Sequence, residues 1–352
     1  MISLVLLFWL AAQNLSPEAL AHLQAGADAD KRNQFATAIQ EFRQATELAP
    51  ELPNGFVGLG HAYMENHQYA DAVPPLKRAL ELQPDLTIAH RLLGYALLAQ
   101  GYAAEAIPHF ERIQEPGALG IAQTESGQLA PAIPNLQAAL AGRPNDPDLL
   151  YYLGRASGLL SKQTIEQLLA VHPDSARAHQ AMAENYFVLR QMPQAEKDYL
   201  AALLRQPDLP GLRLELGLVY AASAQWPRAE QEFRKAASAQ PGNAEAAYRL
   251  GSALLEQGKA GEALAELERA DHLQPGMPET LYALGKSASI DGNPGLAEKS
   301  WTALLKVESD SSLAAETHFA LAALYRKQGK TAEAAEEMRE FERLKRNSNP
   351  QP

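Results

Sequence analysis

The 352-residue chain contains no cysteine, which excludes disulfides, thiolate metal sites and a lipidated cysteine near the amino terminus. Aromatic residues are scarce at 7%, and no segment alternates apolar and polar residues with a period of two, so a sheet is not expected. Clustered positive charge is missing as well. The net charge is -11, the isoelectric point lies near 5.4, and the densest basic stretch, Arg339 to Arg346, is interleaved with Glu340 and Glu342. Phosphate recognition needs a concentrated basic face, so the composition argues against a nucleic-acid partner.

Catalytic and metal-binding signatures are also lacking. The nine histidines form no His-x-x-His or His-Glu-x-x-His pattern, and no nucleophile elbow surrounds any serine. The glycines of Gly55 to Gly60 run in the reverse of the phosphate-loop spacing and follow no strand. Asn145 to Asp148 has too few acids for a calcium loop. The expectation is therefore no enzyme activity, no cofactor, no metal site and no small-molecule substrate.

Long apolar runs are confined to the start of the chain. MISLVLLFWLAA at 1–12 has the length of a secretion-signal core and ends in small residues, although no Lys or Arg precedes it. It is too short to span a bilayer. Ser16-Pro17-Glu18, a capping serine with proline in the first turn, starts a helix directly afterwards, which makes the run dispensable to the fold. The expectation is export to the periplasm or envelope with cleavage near Ala12. The competing reading is a greasy first helix packed on a cytoplasmic protein.

What is present in abundance is repetition. Glycine or alanine recurs at Gly26, Gly60, Gly94, Gly120, Gly154, Ala183, Gly217, Gly251, Gly285 and Ala322, most often 34 residues apart. Fixed offsets travel with it. Gly60 is followed by Ala72, Leu76, Ala79 and Pro84, and Gly217 by Ala229, Phe233, Ala236 and Pro241. Phe56, Leu59, Gly60 and Tyr63 share one helix face, as do Ala72, Leu76, Ala79 and Leu80. Each unit thus reads as two helices joined by a turn and stopped by proline, with small residues where the helices cross closely and bulky ones between them. Such a chain is an array that grows by stacking rather than by deepening a core.

Leu59-Gly60-Tyr63-Ala72-Ala79-Pro84 and Leu216-Gly217-Tyr220-Ala229-Phe233-Ala236-Pro241 closely resemble the tetratricopeptide repeat pattern. The resemblance implies an all-α solenoid, a right-handed superhelix of about ten helix-turn-helix units. Their expected bounds are 19–52, 53–86, 87–112, 113–146, 147–175, 176–209, 210–243, 244–277, 278–314 and 315–348, with a tail at 349–352. The beat slips in three places. Gly94 to Gly120 is 26 residues, which requires a second helix to end early at Pro116; Gly154 to Ala183 is 29, which removes a turn and part of a second helix near Ser161 to Thr164; Gly285 to Ala322 is 37. The two shortenings divide the expected groove into a short segment and a longer regular one from Ala176 onward.

In this family the first helix of each pair lines a concave groove through residues three before and one after the glycine column. Carried onto this chain, the resemblance implies a protein-binding lining of Val57 and His61, Arg91 and Tyr95, Gln180 and Glu184, Leu214 and Leu218, Tyr248 and Ser252, and Tyr282 and Lys286, with Met64, Phe187 and Leu255 one turn further. The paired Lys and Asn of chaperone-binding members are absent, since Val57, His61, Arg91 and Tyr95 stand there. His22, His90, His179 and His318 share a column four residues before the beat and are expected to pack. The implied function is a non-catalytic scaffold binding a protein or peptide segment. The alternatives are an accessory subunit or targeting arm of a separately encoded enzyme, such as a glycosyltransferase, and a self-associating assembly factor, a homo-oligomer.

Overall fold

The computed structural model describes residues 15–347; the apolar run at 1–12 and the tail at 349–352 lie outside them. Among the described residues there are nineteen α-helices and no strand. Nine antiparallel pairs are α1 (Pro17–Lys31) with α2 (Phe35–Leu48), α3 (Pro53–Glu65) with α4 (Tyr69–Leu82), α5 (Thr87–Ala99) with α6 (Ala103–Arg112), α7 (Pro116–Glu125) with α8 (Leu129–Gly142), α10 (Ala176–Val188) with α11 (Met192–Arg205), α12 (Leu212–Ala222) with α13 (Trp226–Ala239), α14 (Ala244–Glu256) with α15 (Ala260–Leu273), α16 (Pro278–Ile290) with α17 (Pro294–Val307), and α18 (Ser312–Lys327) with α19 (Thr331–Asn347). Between the fourth and fifth pairs runs a single helix, α9 (Pro147–Val171). The chain forms two compact units, one ending at Glu166 and the other beginning at Gln167.

The repeated glycine explains why the pairs close. At Gly26, Gly60, Gly94, Gly120, Gly217, Gly251 and Gly285, the side chain sixteen residues later on the second helix lies against the bare Cα. A Cβ on Gly217 would come within 2.5 Å of Phe233, and one on Gly60 within 2.5 Å of Leu76. Phe42, Phe110, Phe233, Leu76, Leu136 and Leu267 are accordingly buried, so each glycine is the socket for one core knob. A second column sets the turn. The residue seven after the beat has positive φ in all nine pairs: Gly101, Gly127, Gly258, Gly292 and Gly329 where the residue is glycine, and Asn33, His67, Arg190 and Ala224 where it is not. This left-handed residue ends the first helix and reverses the chain.

The histidine column does more than pack. His22 Nδ1 meets Glu41 at 2.7 Å, His179 Nδ1 meets Asp198 at 2.7 Å, His318 Nδ1 meets Glu337 at 2.5 Å, and His90 Nδ1 meets His109 Nδ1 at 2.9 Å. Arg213, in the same column, donates to Glu232 at 3.1 Å. In every case the partner is nineteen residues on, so the column is a polar clip between the two helices of one pair. Neighbouring pairs are stapled by a glutamine six residues after the beat: Gln100 donates to the Tyr69 carbonyl and Gln257 to the Trp226 carbonyl, each the first residue of the preceding second helix.

The interruptions differ from expectation in two respects. The second helix of the third pair stops at Arg112, and Pro116 opens α7 as its first residue rather than closing α6. Proline suits that position because its missing N–H has no intrahelical partner there. The stretch 147–175 is not a shortened pair, because α9 runs without a turn through Ser161 to Thr164. The Thr164 hydroxyl bonds the Leu160 carbonyl one turn back, and Leu160, Leu168 and Leu169 continue the helical period, so nothing reverses the chain. With no second helix to receive, Gly154 is exposed and an added Cβ there meets nothing within 4 Å. Only Leu149 and Ala156 of α9 are buried, packed on Leu129, Leu136 and Ala139 of α8.

Candidate functional site

In the first unit, the residues expected to line a groove are largely satisfied by the protein itself. Val57 is 3% exposed and belongs to the core, and Met64 packs partly against it, which corrects the placement of Val57 as a surface residue. His61 sits one residue after the beat, and its Nδ1 approaches Asp30 of α1 at 3.1 Å. That hydrogen bond holds the imidazole pKa above its ordinary value, more than offsetting burial. Arg91 and Tyr95 converge on one carboxylate, Glu115, at 2.9 and 3.0 Å. Burial, followed by the Glu115 charge, pushes the Tyr95 phenol up to about 12, and the ring stands edge-on to Phe110.

The second unit is different. Gln180 and Glu184 stand on α10, and Leu214 and Leu218 on α12. Gln180 is 9% exposed, a correction to its expected role as a lining residue: its amide donates to both oxygens of Glu215 at 3.3 and 3.2 Å, and its carbonyl accepts from Arg177 at 2.6 Å. Glu184 is exposed, and neither Glu184 nor Glu215 takes part in an ion pair among the described residues. Burial, then repulsion from Glu184, raises the Glu215 carboxyl above its ordinary pKa. Burial, then Glu215 and Glu184, raises the Tyr199 phenol behind them. Phe187 packs partly into the core below.

An open cavity of about 330 Å³ lies between α12, α14 and α16. Leu218, Tyr248, Ser252, Leu255, Tyr282 and Lys286 all line it, residues that stand three before, one after or, for Leu255, one turn after the beat. Leu255 is a largely buried wall, 8% exposed. Burial, then the Glu316 carboxylate, raises the Tyr282 phenol. The cations at the cavity are already matched: Arg249 donates to Glu245 at 2.6 Å, and Lys286 lies 3.4 Å from Glu256. The Ser252 hydroxyl, on a residue that lines the cavity, is buried without a hydrogen-bond partner.

Trp226, Glu215 and Glu279 are site residues that column reasoning missed. Trp226 opens the second helix α13 and reaches the cavity across the pair, whereas Glu215 and Glu279 stand two and six residues before the beat. A rare tryptophan, one of three in the chain, at the head of a second helix was the available signal. Among the described residues no three His, Asp or Glu side chains gather as metal ligands, and no helix is long and apolar enough to cross a membrane.

The paired helices, glycine sockets and regular beat define an all-α repeat array, and its family follows from the sequence columns. A tetratricopeptide repeat model matches residues 57–120, 214–278 and 282–349, more than half of the chain, and the protein belongs to that family. No curated protein matches the sequence. Solved structures similar to it include MamA from Desulfovibrio magneticus RS-1, with 18% identity, a TM-score of 0.47 and coverage of 49% of this chain and 97% of that one. Cut9 in the APC/C Cut9–Hcn1 hetero-tetramer has 13% identity, a TM-score of 0.44 and coverage of 93% and 87%. Yeast Tom70 has 14% identity, a TM-score of 0.41 and coverage of 93% and 92%.

Proposed function

We propose that this protein is a non-catalytic interaction scaffold that binds an extended or helical segment of another protein along the first helices of its second unit, in the cell envelope. The observation that carries the reading is the open aromatic cavity at the family's groove columns, walled by Trp226, Tyr248, Tyr282 and Leu255. Large, stiff amphipathic rings give contact area at low conformational cost and are over-represented among residues that dominate binding energy. In the first unit the equivalent polar side chains are tied to Asp30 and Glu115, so it acts as a stacked support. The envelope assignment rests on the apolar run at 1–12.

The test is co-purification from the native host with the full chain and with a Tyr248→Ala/Tyr282→Ala variant whose helicity is verified by circular dichroism. A partner retained by the natural chain and lost from the variant supports the groove. A partner equally retained by both refutes it.

A further inference from the structure

The cavity and the carboxylates upstream of it specify more than an apolar ligand. Every cation lining the cavity is neutralised from its own or a neighbouring helix, Arg249 by Glu245 and Lys286 by Glu256. Glu184 stands one helical turn after Gln180 on α10, and the Gln180 amide donates to both oxygens of Glu215 on α12, which brings the two carboxylates to the same stretch of surface; neither is in an ion pair among the described residues. The cation that bears on Glu215, Arg177, is hydrogen-bonded to Gln180. The remaining neighbours, Gln180 and Tyr199, are neutral. Two like charges on a partly desolvated surface repel, and the arrangement carries that cost until an opposite charge arrives. Beyond them Leu218 lines the cavity, where the buried Ser252 hydroxyl lacks a partner.

We infer that the occupant is a protein segment that sets a lysine or arginine against Glu184 and Glu215 and a bulky apolar side chain in the cavity of Trp226, Tyr248 and Tyr282; this rests on the groove reading above. The two subsites lie one to two helix diameters apart, about 10–20 Å. An extended chain covers that distance with about three to six residues. Arginine suits the first subsite well, since its planar fork can satisfy two carboxylates at once.

The experiment is selection of a displayed random dodecapeptide library on the full chain at low salt, followed by affinity measurements with the selected peptides as synthetic probes. The expected peptides carry a basic residue and, about three to six positions away, a Leu, Met or aromatic residue. Glu184→Gln/Glu215→Gln is expected to weaken them about tenfold or more, while replacing the peptide's basic residue by norleucine weakens binding to the natural chain and not to that variant. Peptides that need Tyr248 and Tyr282 but show no basic enrichment, or bind the double glutamine variant unchanged, overturn the cation assignment and leave the groove standing. Peptides that bind the Tyr248→Ala/Tyr282→Ala variant equally well, or a library yielding nothing above that variant's background, overturn the groove reading and the inference with it.

Discussion

Replacing glycine by alanine should have opposite effects at two positions of the same repeat column. Gly217 and Gly154 both stand on the beat and both lie inside helices. At Gly217 a new Cβ falls 2.5 and 2.6 Å from Phe233, whose ring is 1% exposed and cannot withdraw without displacing α13. Overpacking of this kind costs roughly 1–3 kcal/mol, against a gain of about 1 kcal/mol from alanine's better helix propensity. The net expectation is destabilisation of up to about 2 kcal/mol. At Gly154 the same methyl meets nothing within 4 Å, so the propensity gain of about 1 kcal/mol stands alone. An array need not unfold in one step, so the readout is hydrogen exchange resolved by segment. Gly217→Ala should speed exchange in α12 and α13, and Gly154→Ala should slow it in α9. Slower exchange at α12 and α13, or faster exchange at α9, would refute the socket account of the beat.

Other consequences follow from individual contacts. His179 and Asp198 are 14% and 12% exposed, so His179→Ala leaves a nearly buried carboxylate unpartnered and should cost about 1–3 kcal/mol. A double-mutant cycle with Asp198→Ala reads the clip itself, and additive losses would deny the coupling. Ala224 holds φ at 53° without being glycine; Ala224→Gly should raise the thermal midpoint by relieving about 1 kcal/mol of left-handed strain, and a lowered midpoint would contradict it. Burial pushes the Glu230 carboxyl up, but hydrogen bonds from Lys259, Arg234 and Gln257 outweigh it and hold the pKa at about 2. Because this folded value is depressed below the ordinary 4.5, the stabilisation is present above that pH and lost as pH falls toward about 2. Glu230→Gln should flatten the acid limb of the second unit's stability curve, and an unchanged limb would deny Glu230 that role. Glu215 has the opposite sign: its raised pKa makes folding less favourable as pH climbs through the folded value, and Glu215→Gln should remove that decline. Sequencing the mature amino terminus tests export, and an intact Met1 on soluble cytoplasmic protein would end that proposal.

Much of the architecture was legible in the residues because the repeat is a packing code. A glycine followed sixteen positions later by a large apolar residue is a socket and its knob, and helical spacing carries the pattern without any knowledge of distant partners. The columns three before and one after the beat also brought Tyr248, Ser252, Tyr282 and Lys286 to one cavity. The same columns misled at Val57 and Gln180, which face inward. A column reports direction relative to its own helix, and how much of that direction is covered depends on the neighbouring pairs. The histidine column was read as packing alone, because its partner lies nineteen residues away on another helix and varies among Glu, Asp and His.

By itself the sequence determined that this is an all-α array of stacked helix pairs, since each pair closes through interactions within about 34 residues that repeat along the chain. Tertiary structure decided what the interruptions mean and where binding chemistry gathers. The five residues missing between Gly154 and Ala183 could have shortened a turn or erased it, and in the folded chain α9 runs through Ser161 to Thr164 as one helix. Likewise Trp226, from a second helix, and Glu215, off the expected columns, enter the site because separate repeats are brought side by side. Local periodicity cannot encode that proximity, which depends on how each pair is seated against the next.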